Sequence, residues 1–206
     1  MAEVKFTKNA FREQQQKLMQ LQSYLPTLQL KKKMLQFEIS VTHVLLDNLY
    51  KNYQKQRNKV DEYSKLFSDK EGKDIVKYAS VMHVEKSYEN IAGVEIPNLK
   101  RVVFTEDTYN LFETPPWVDG ALVKLKELVK IKQNMNVIEE KKRALAKELR
   151  DVSIRVNLFE KILIPRTTDN IKKIKIFLGD QELAAVSQAK VAKQKILAKK
   201  TASSLV

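Results

Sequence analysis

The sequence predicts a mostly α protein: a long antiparallel two-helix coiled coil, formed by the N- and C-terminal helices and capped by a small middle segment with a short β-hairpin. Three observations predict it. From Phe11, stepping alternately three and four residues, the chain visits Gln14, Leu18, Leu21, Leu25, Leu28, Lys32, Leu35, Ile39, Thr42, Leu46, Leu49, Tyr53, Gln56, Val60, Tyr63 and Phe67, and 13 of those 17 positions are apolar. A second run, Leu128, Ile131, Met135, Ile138, Lys142, Leu145, Leu149, Val152, Val156, Phe159 and Leu163, has Lys142 as its one polar member. Between the two lies a section of strand-like composition. Apolar residues recurring every 3.5 positions make a narrow seam that a second helix must cover. A helix of about 60 residues rises roughly 90 Å at 1.5 Å per residue, so the pattern describes a rod with a thin core.

The N-terminal coiled-coil helix is placed at residues 1–67. It starts near Thr7, whose hydroxyl caps the first turn before Phe11. Pro26 removes one interior hydrogen bond, but the register continues in phase through Leu21, Leu25 and Leu28, which favours a bent, continuous helix. Lys31-Lys32-Lys33 puts one lysine on the seam, where its stem packs and its head snorkels outward. The middle cap spans 68–114 and opens with turn chemistry at Ser68–Lys73. Its β-type stretches, Val81–Val84 and Arg101–Phe104, flank Asn90-Ile91-Ala92-Gly93-Val94-Glu95-Ile96-Pro97 and read as an irregular hairpin. Tyr109, Leu111, Phe112 and Trp117 are the candidates to pack it onto the helix ends.

The C-terminal coiled-coil helix is placed at 115–200, with Thr114 as cap and proline in its first turn at Pro115 and Pro116. A kink is expected near Pro165, after which Ile171, Ile174, Phe177 and Leu178 resume a helical face. Gly179-Asp180 is a further weak point, the stretch through Leu183, Val186, Ile196 and Leu197 is sparse in large apolar groups, and 201–206 reads as a frayed tail.

The net charge of +13 is uneven: residues 1–67 carry +6, 68–120 carry −4, 121–165 carry +5 and 166–206 carry +6. A hairpin that folds back on itself gathers both basic termini at one end and the acidic middle at the other. That field suits an acidic or phosphate-bearing partner at the terminal end, and lysine-rich faces also serve solubility. With no apolar leader, no long apolar run and no cysteine, the chain is expected to be soluble and cytoplasmic.

Catalytic chemistry is missing. The four glycines, Gly72, Gly93, Gly120 and Gly179, are too scattered for a phosphate cradle. His43 and His83 fall on different elements, and the adjacent pairs Asp61-Glu62 and Glu139-Glu140 diverge around their helices. No catalytic residue, metal ligand or cofactor site is expected. Lys190, Lys193, Lys195, Lys199 and Lys200 place cations on a helix, enough for phosphate-backbone binding, but no aromatic side chain interleaves with them for base stacking. A basic coiled-coil scaffold or nucleic-acid-binding rod is therefore the second reading.

The run Val152-Ser153-Ile154-Arg155-Val156-Asn157-Leu158-Phe159-Glu160-Lys161-Ile162-Leu163-Ile164-Pro165-Arg166 closely resembles the carboxy-terminal signature of the D subunits of V-type and A-type ATPases. Ile171, Ile174, Leu178, Asp180 and Glu182 occupy matching places, Glu89–Pro97 matches the family's pre-hairpin segment, and Leu30-Lys31-Lys32-Lys33 its amino-terminal lysine stretch. Tyr24–Leu28 and Thr114–Asp119 look most like the version in chlamydia-type bacteria. The likeness covers nearly the whole chain. It departs at Met34-Leu35, where the family has arginine-aspartate, and at Leu183–Val186, where the family has a charged, aromatic run.

The resemblance implies a non-catalytic central-stalk rotor that carries torque between a catalytic hexamer of A and B subunits and the membrane ring during ATP-coupled ion transport. It implies a small stalk partner (the F subunit), a funnel-like subunit above the ring, and a place peripheral to the membrane with no insertion into it. On that reading Arg166, Lys172, Lys173, Lys175 and Lys190 at the terminal tip meet the hexamer. Arg155, Asn157 and Glu160 lie on the most family-specific stretch; Asn157 and Glu160, beside the seam, bind a partner or lock helix pairing.

Overall fold

The structure is a computed structural model that describes residues 5–63, 77–105 and 115–203, with side chains described as far as Leu197. Helix α1 spans Lys8–Asp61, strands β1 and β2 span Val81–Ile91 and Val94–Phe104, and helix α2 spans Trp117–Leu158. A π-helical turn at Phe159–Leu163 joins α2 to helix α3, Ile164–Ser203. Phe67, Ser68–Lys73, Tyr109, Leu111, Phe112 and Thr114 lie outside the described residues, as do the side chains of Lys199 and Lys200. Two compact units form: one from Met1–Gln29 with Ile154–Val206, the other from Leu30–Ser153.

The heptad reading holds position by position. Every described member of both seams is buried or half-buried, the polar Gln14, Lys32, Thr42, Gln56 and Lys142 included. Leu35, Leu145 and Ile174 have no exposed surface. Thr42 is equally buried and satisfies its hydroxyl by donating to the Glu38 carbonyl at 2.7 Å. In the first unit the Phe6 and Phe177 rings meet at 5.1 Å and Lys8 faces Glu182 at 3.7 Å. In the second, Lys31 meets Glu148 and Glu38 meets Lys141.

The ends of α1 follow local chemistry. Thr7 Oγ1 accepts the Ala10 N–H at 3.2 Å, the expected N-cap. At the other end the helix closes at Asp61, and the Tyr63 N–H turns back to the Val60 carbonyl; 64–67, the end of the expected helix, lie outside the described residues. Asp61 and Glu62 place two carboxylates at the negative end of the helix dipole, which disfavours continuation. Pro26 lies inside the continuous helix.

The hairpin corrects the expected short strands. Each strand has 11 residues, and the pairing runs from Val81 opposite Phe104 to Ile91 opposite Val94 with irregularities at Val81/His83 and Glu85/Lys86. The stretch Asn90–Pro97 between the expected strands is itself mostly strand, because Ala92 and Gly93 make the turn alone with φ of 52° and 80°. Two positive φ values match the right-handed twist of a two-residue hairpin. Asn90 Oδ1 accepts the Gly93 N–H at 2.9 Å and holds it shut. Pro97 is tolerated because each strand of a two-stranded ribbon is an edge.

The hairpin lies along α2 in the Leu30–Ser153 unit. Lys126 and Lys130 approach the Phe104 ring at 5.6 and 5.8 Å, and Lys86 binds Glu140 at 2.5 Å. A Cβ at Gly93 would lie 3.7 Å from Lys31 Nζ, so the turn reaches α1. Helix α2 begins at Trp117, later than read, since Pro116 bars its preceding residue from helical ψ. Trp117 packs with Tyr78 and Leu125 around Ala79, Val118 and Leu122, while Lys124 stands over the Tyr63 ring at 4.6 Å.

Near Pro165 the ladder changes spacing and the helix continues. The Ile164 N–H reaches back to the Phe159 carbonyl, a five-residue step. That wide turn lets Pro165 enter as the second residue of α3, where a missing N–H costs nothing. Thr167 and Thr168 donate to the Leu163 and Ile164 carbonyls one turn back, at 2.7 and 2.9 Å. Gly179 sits within α3 without ending it. Among the described residues no helix is long and apolar enough to cross a membrane.

Candidate partner-binding surfaces

Arg155 and Asn157 lie in the last turn of α2, Glu160 in the π-turn, and Arg166, Lys172, Lys173, Lys175 and Lys190 on α3. All eight side chains are exposed and belong to the unit that contains both chain ends. The buried positions Val156, Thr167 and Ile174 form the seam, and Arg155, Asn157, Arg166, Lys173 and Lys175, each one residue from a seam position, are exposed on its flanks. Among the described residues none of the eight has an ion pair or side-chain hydrogen bond within the chain. This unit carries 15 basic and 6 acidic side chains.

Beyond Gly179 no described side chain as far as Leu197 is buried. Every residue from Asp180 to Leu197 is exposed, among them Leu183 at 68%, Val186 at 53%, Val191, Ile196 and Leu197. Helices in proteins owe most of their stability to a packed apolar face, and none of these five side chains is covered. The stretch is thus a helix with both cations and apolar groups presented outward, suited to a groove that supplies acidic and apolar surface together.

A second exposed surface is one that sequence reasoning misses. Leu30, Met34, Phe37 and Val44 of α1 are exposed, Phe37 at 69%, with Val41 half-buried between them and Leu45 exposed at their side. The signal is present: 30, 34, 37, 41 and 44 repeat at four and three residues, two positions after the main seam. A dominant heptad hides a second one, because a single-seam reading assigns every other position to solvent. One helix with two apolar seams offers the second to another helix.

Among the described residues no nucleophile-and-base arrangement is seen at either surface. His43 contacts only its neighbour Asp47 at 3.2 Å, and His83 lies 3.8 Å from Glu85, each pair on one element and exposed. Among the described residues no group of three His, Cys, Asp or Glu side chains is placed to hold a metal ion.

Comparison with known proteins gives a concordant result. The family of ATP synthase D subunits matches residues 10–194. The chain is similar to the V-type ATP synthase D subunit of Chlamydia abortus (strain DSM 27085 / S26/3), 45% identical over 203 residues and 98% of each chain. It is 46% identical over 197 residues to that of Chlamydia muridarum (strain MoPn / Nigg), covering 95% of this chain and 97% of the relative. With that of Chlamydia pneumoniae it shares 44% over 195 residues, 94% of this chain and 93% of the relative. Two seams in antiparallel register, a hairpin between them and a carboxy-terminal signature at the π-turn thus occur together in a chain that belongs to the ATP synthase D-subunit family.

Proposed function

We propose that this chain is the central-stalk rotor shaft of a V-type ATP synthase, a non-catalytic subunit that transmits torque between the catalytic hexamer and the membrane ring. It works in the cytoplasm, peripheral to the membrane. The observation that carries this reading is the uncovered stretch of α3, 18 consecutive exposed residues from Asp180 that include five large apolar side chains. A helix of this kind fits the cavity of an A–B hexamer, with Arg166, Lys172, Lys173, Lys175 and Lys190 toward acidic hexamer surface. Arg155, Asn157 and Glu160 meet a partner, since their exposure leaves them out of the helix seam. The second seam on α1, Leu30 to Val44, receives a helix of the small F subunit of the stalk, and the funnel-like subunit couples the chain to the ring.

Torque needs two helices that resist sliding and two separate docking surfaces. The apolar seams together with the Lys31–Glu148 and Glu38–Lys141 ion pairs supply the first, and the surfaces on α3 and α1 supply the second. The test is a tagged pull-down from the native cells at moderate salt with nuclease present. Recovery of an ATPase hexamer and a small stalk subunit, with this chain in single copy, is the expected result. Exposed Lys190, Lys193 and Lys195 favour one other reading, a basic scaffold that binds nucleic acid. Recovery of the chain alone, or with nucleic acid that nuclease removes, would replace the rotor with that scaffold. Deleting residues 179–206 is expected to weaken coupling of hydrolysis to transport more than it weakens folding; full coupling after the deletion would remove α3 from the hexamer.

A further inference from the structure

We infer that two ion-paired rungs, Lys31–Glu148 and Glu38–Lys141, fix the register in which the helices of the Leu30–Ser153 unit pair. An apolar seam does not fix it alone. Sliding one helix by a heptad again sets seam residue against seam residue, so the apolar groups tolerate a slip. In the observed register Lys31 Nζ lies 2.6 Å from Glu148 Oε1, and Lys141 Nζ lies 2.8 Å from Glu38 Oε1. The Glu38 and Lys141 side chains retain only 18% and 12% of their exposure, and those of Lys31 and Glu148 30% each. Charges held this far from water interact strongly and are costly to leave unpaired.

The rungs are heptad equivalents. Lys31 and Glu38 stand seven residues apart on α1, as Lys141 and Glu148 do on α2. A slip of one heptad in one direction brings Glu38 to the level of Glu148 and Lys31 to that of Arg155. In the other direction Lys31 meets Lys141 and Glu38 meets Asn134. Each slip exchanges two attractive contacts for at least one between like charges. The polar seam residue Thr42 cannot make this distinction, because its hydroxyl is spent on its own helix at the Glu38 carbonyl. The hairpin reinforces the rungs: its turn at Gly93 reaches the Lys31 ammonium, and Lys86 holds Glu140 beside Lys141. The device rests on these contacts and not on the rotor reading.

Disulfide trapping tests it in the full chain, which has no cysteine of its own. Thr42→Cys with Ile138→Cys reports the observed register; Thr42→Cys with Leu145→Cys, or with Ile131→Cys, reports the two slipped ones. In the otherwise unaltered chain the first pair is expected to cross-link and the other two to stay reduced. Reversing α1 alone, by Lys31→Glu with Glu38→Lys, sets like charges together in the observed register and opposite charges together in both slips. The first cross-link then falls about tenfold, the effect of roughly 1.4 kcal/mol, and a slipped one appears. Adding Lys141→Glu and Glu148→Lys restores the first. Unchanged cross-linking in the α1 reversal would overturn the inference. If that variant does not fold, regained helicity and cross-linking in the fourfold variant support the lock, and failure to regain them overturns it.

Discussion

Leu35 and Leu145 have no exposed surface, although each sits on a helix with few fully buried neighbours. A thin seam concentrates stability on such residues, because little else surrounds a cavity and relaxes into it. Leu35→Ala or Leu145→Ala is expected to cost about 2–5 kcal/mol in urea unfolding, whereas Met34→Ala, one residue from Leu35 and exposed at 48%, stays within about 0.5 kcal/mol. Ala92 carries a different cost. Its φ of 52° suits glycine, so Ala92→Gly is expected to stabilise the hairpin by about 1 kcal/mol, read as a higher melting temperature. At this scale the sequence is legible wherever period decides burial. It is silent on Lys31, Glu38, Lys141 and Glu148, because pairing across helices depends on a register that neither helix contains by itself.

Among the elements, both long helices are plain in the sequence, and the differences lie at their ends. Asp61-Glu62 closes α1, and Pro115-Pro116 delays α2, each through a local rule that a heptad pattern overrides when read alone. The hairpin is visible from its β-branched residues, but its length is hidden by Gly93 and Pro97, which interrupt a strand pattern and stand at a turn and an edge. The π-turn has no sequence signal beyond Pro165. Pro26 leaves one backbone carbonyl of α1 without its intrahelical donor, and Pro26→Ala is expected to raise stability by about 1–3 kcal/mol in thermal unfolding. The second seam on α1 gives a prediction of another kind: Phe37→Glu with Val44→Glu leaves the melting temperature nearly unchanged and removes the small stalk subunit from the pulled-down complex.

For the whole molecule, the uneven charge is what composition contributes and the packing localises. The unit with both chain ends holds most of the surplus of cations and all eight candidate contacts. The proposed pairing of its lysines and Arg166 with acidic hexamer surface would be screened over roughly 8–10 Å at ordinary ionic strength, so retention of the hexamer is expected to fall with salt while α3's apolar groups hold a residual. Replacing Lys172, Lys173 and Lys175 by glutamine flattens that dependence without moving the melting temperature. Which partners cover these surfaces is readable only through family resemblance, since an exposed lysine or leucine looks alike in a scaffold and in a rotor. The most direct measurement of the central claim follows a probe fixed to the hairpin turn of this chain, in a complex immobilised through its catalytic subunits, as ATP is added. Unidirectional rotation of the probe, stopping when ATP is withdrawn, is the result expected; sustained hydrolysis with the probe stationary would contradict a rotor.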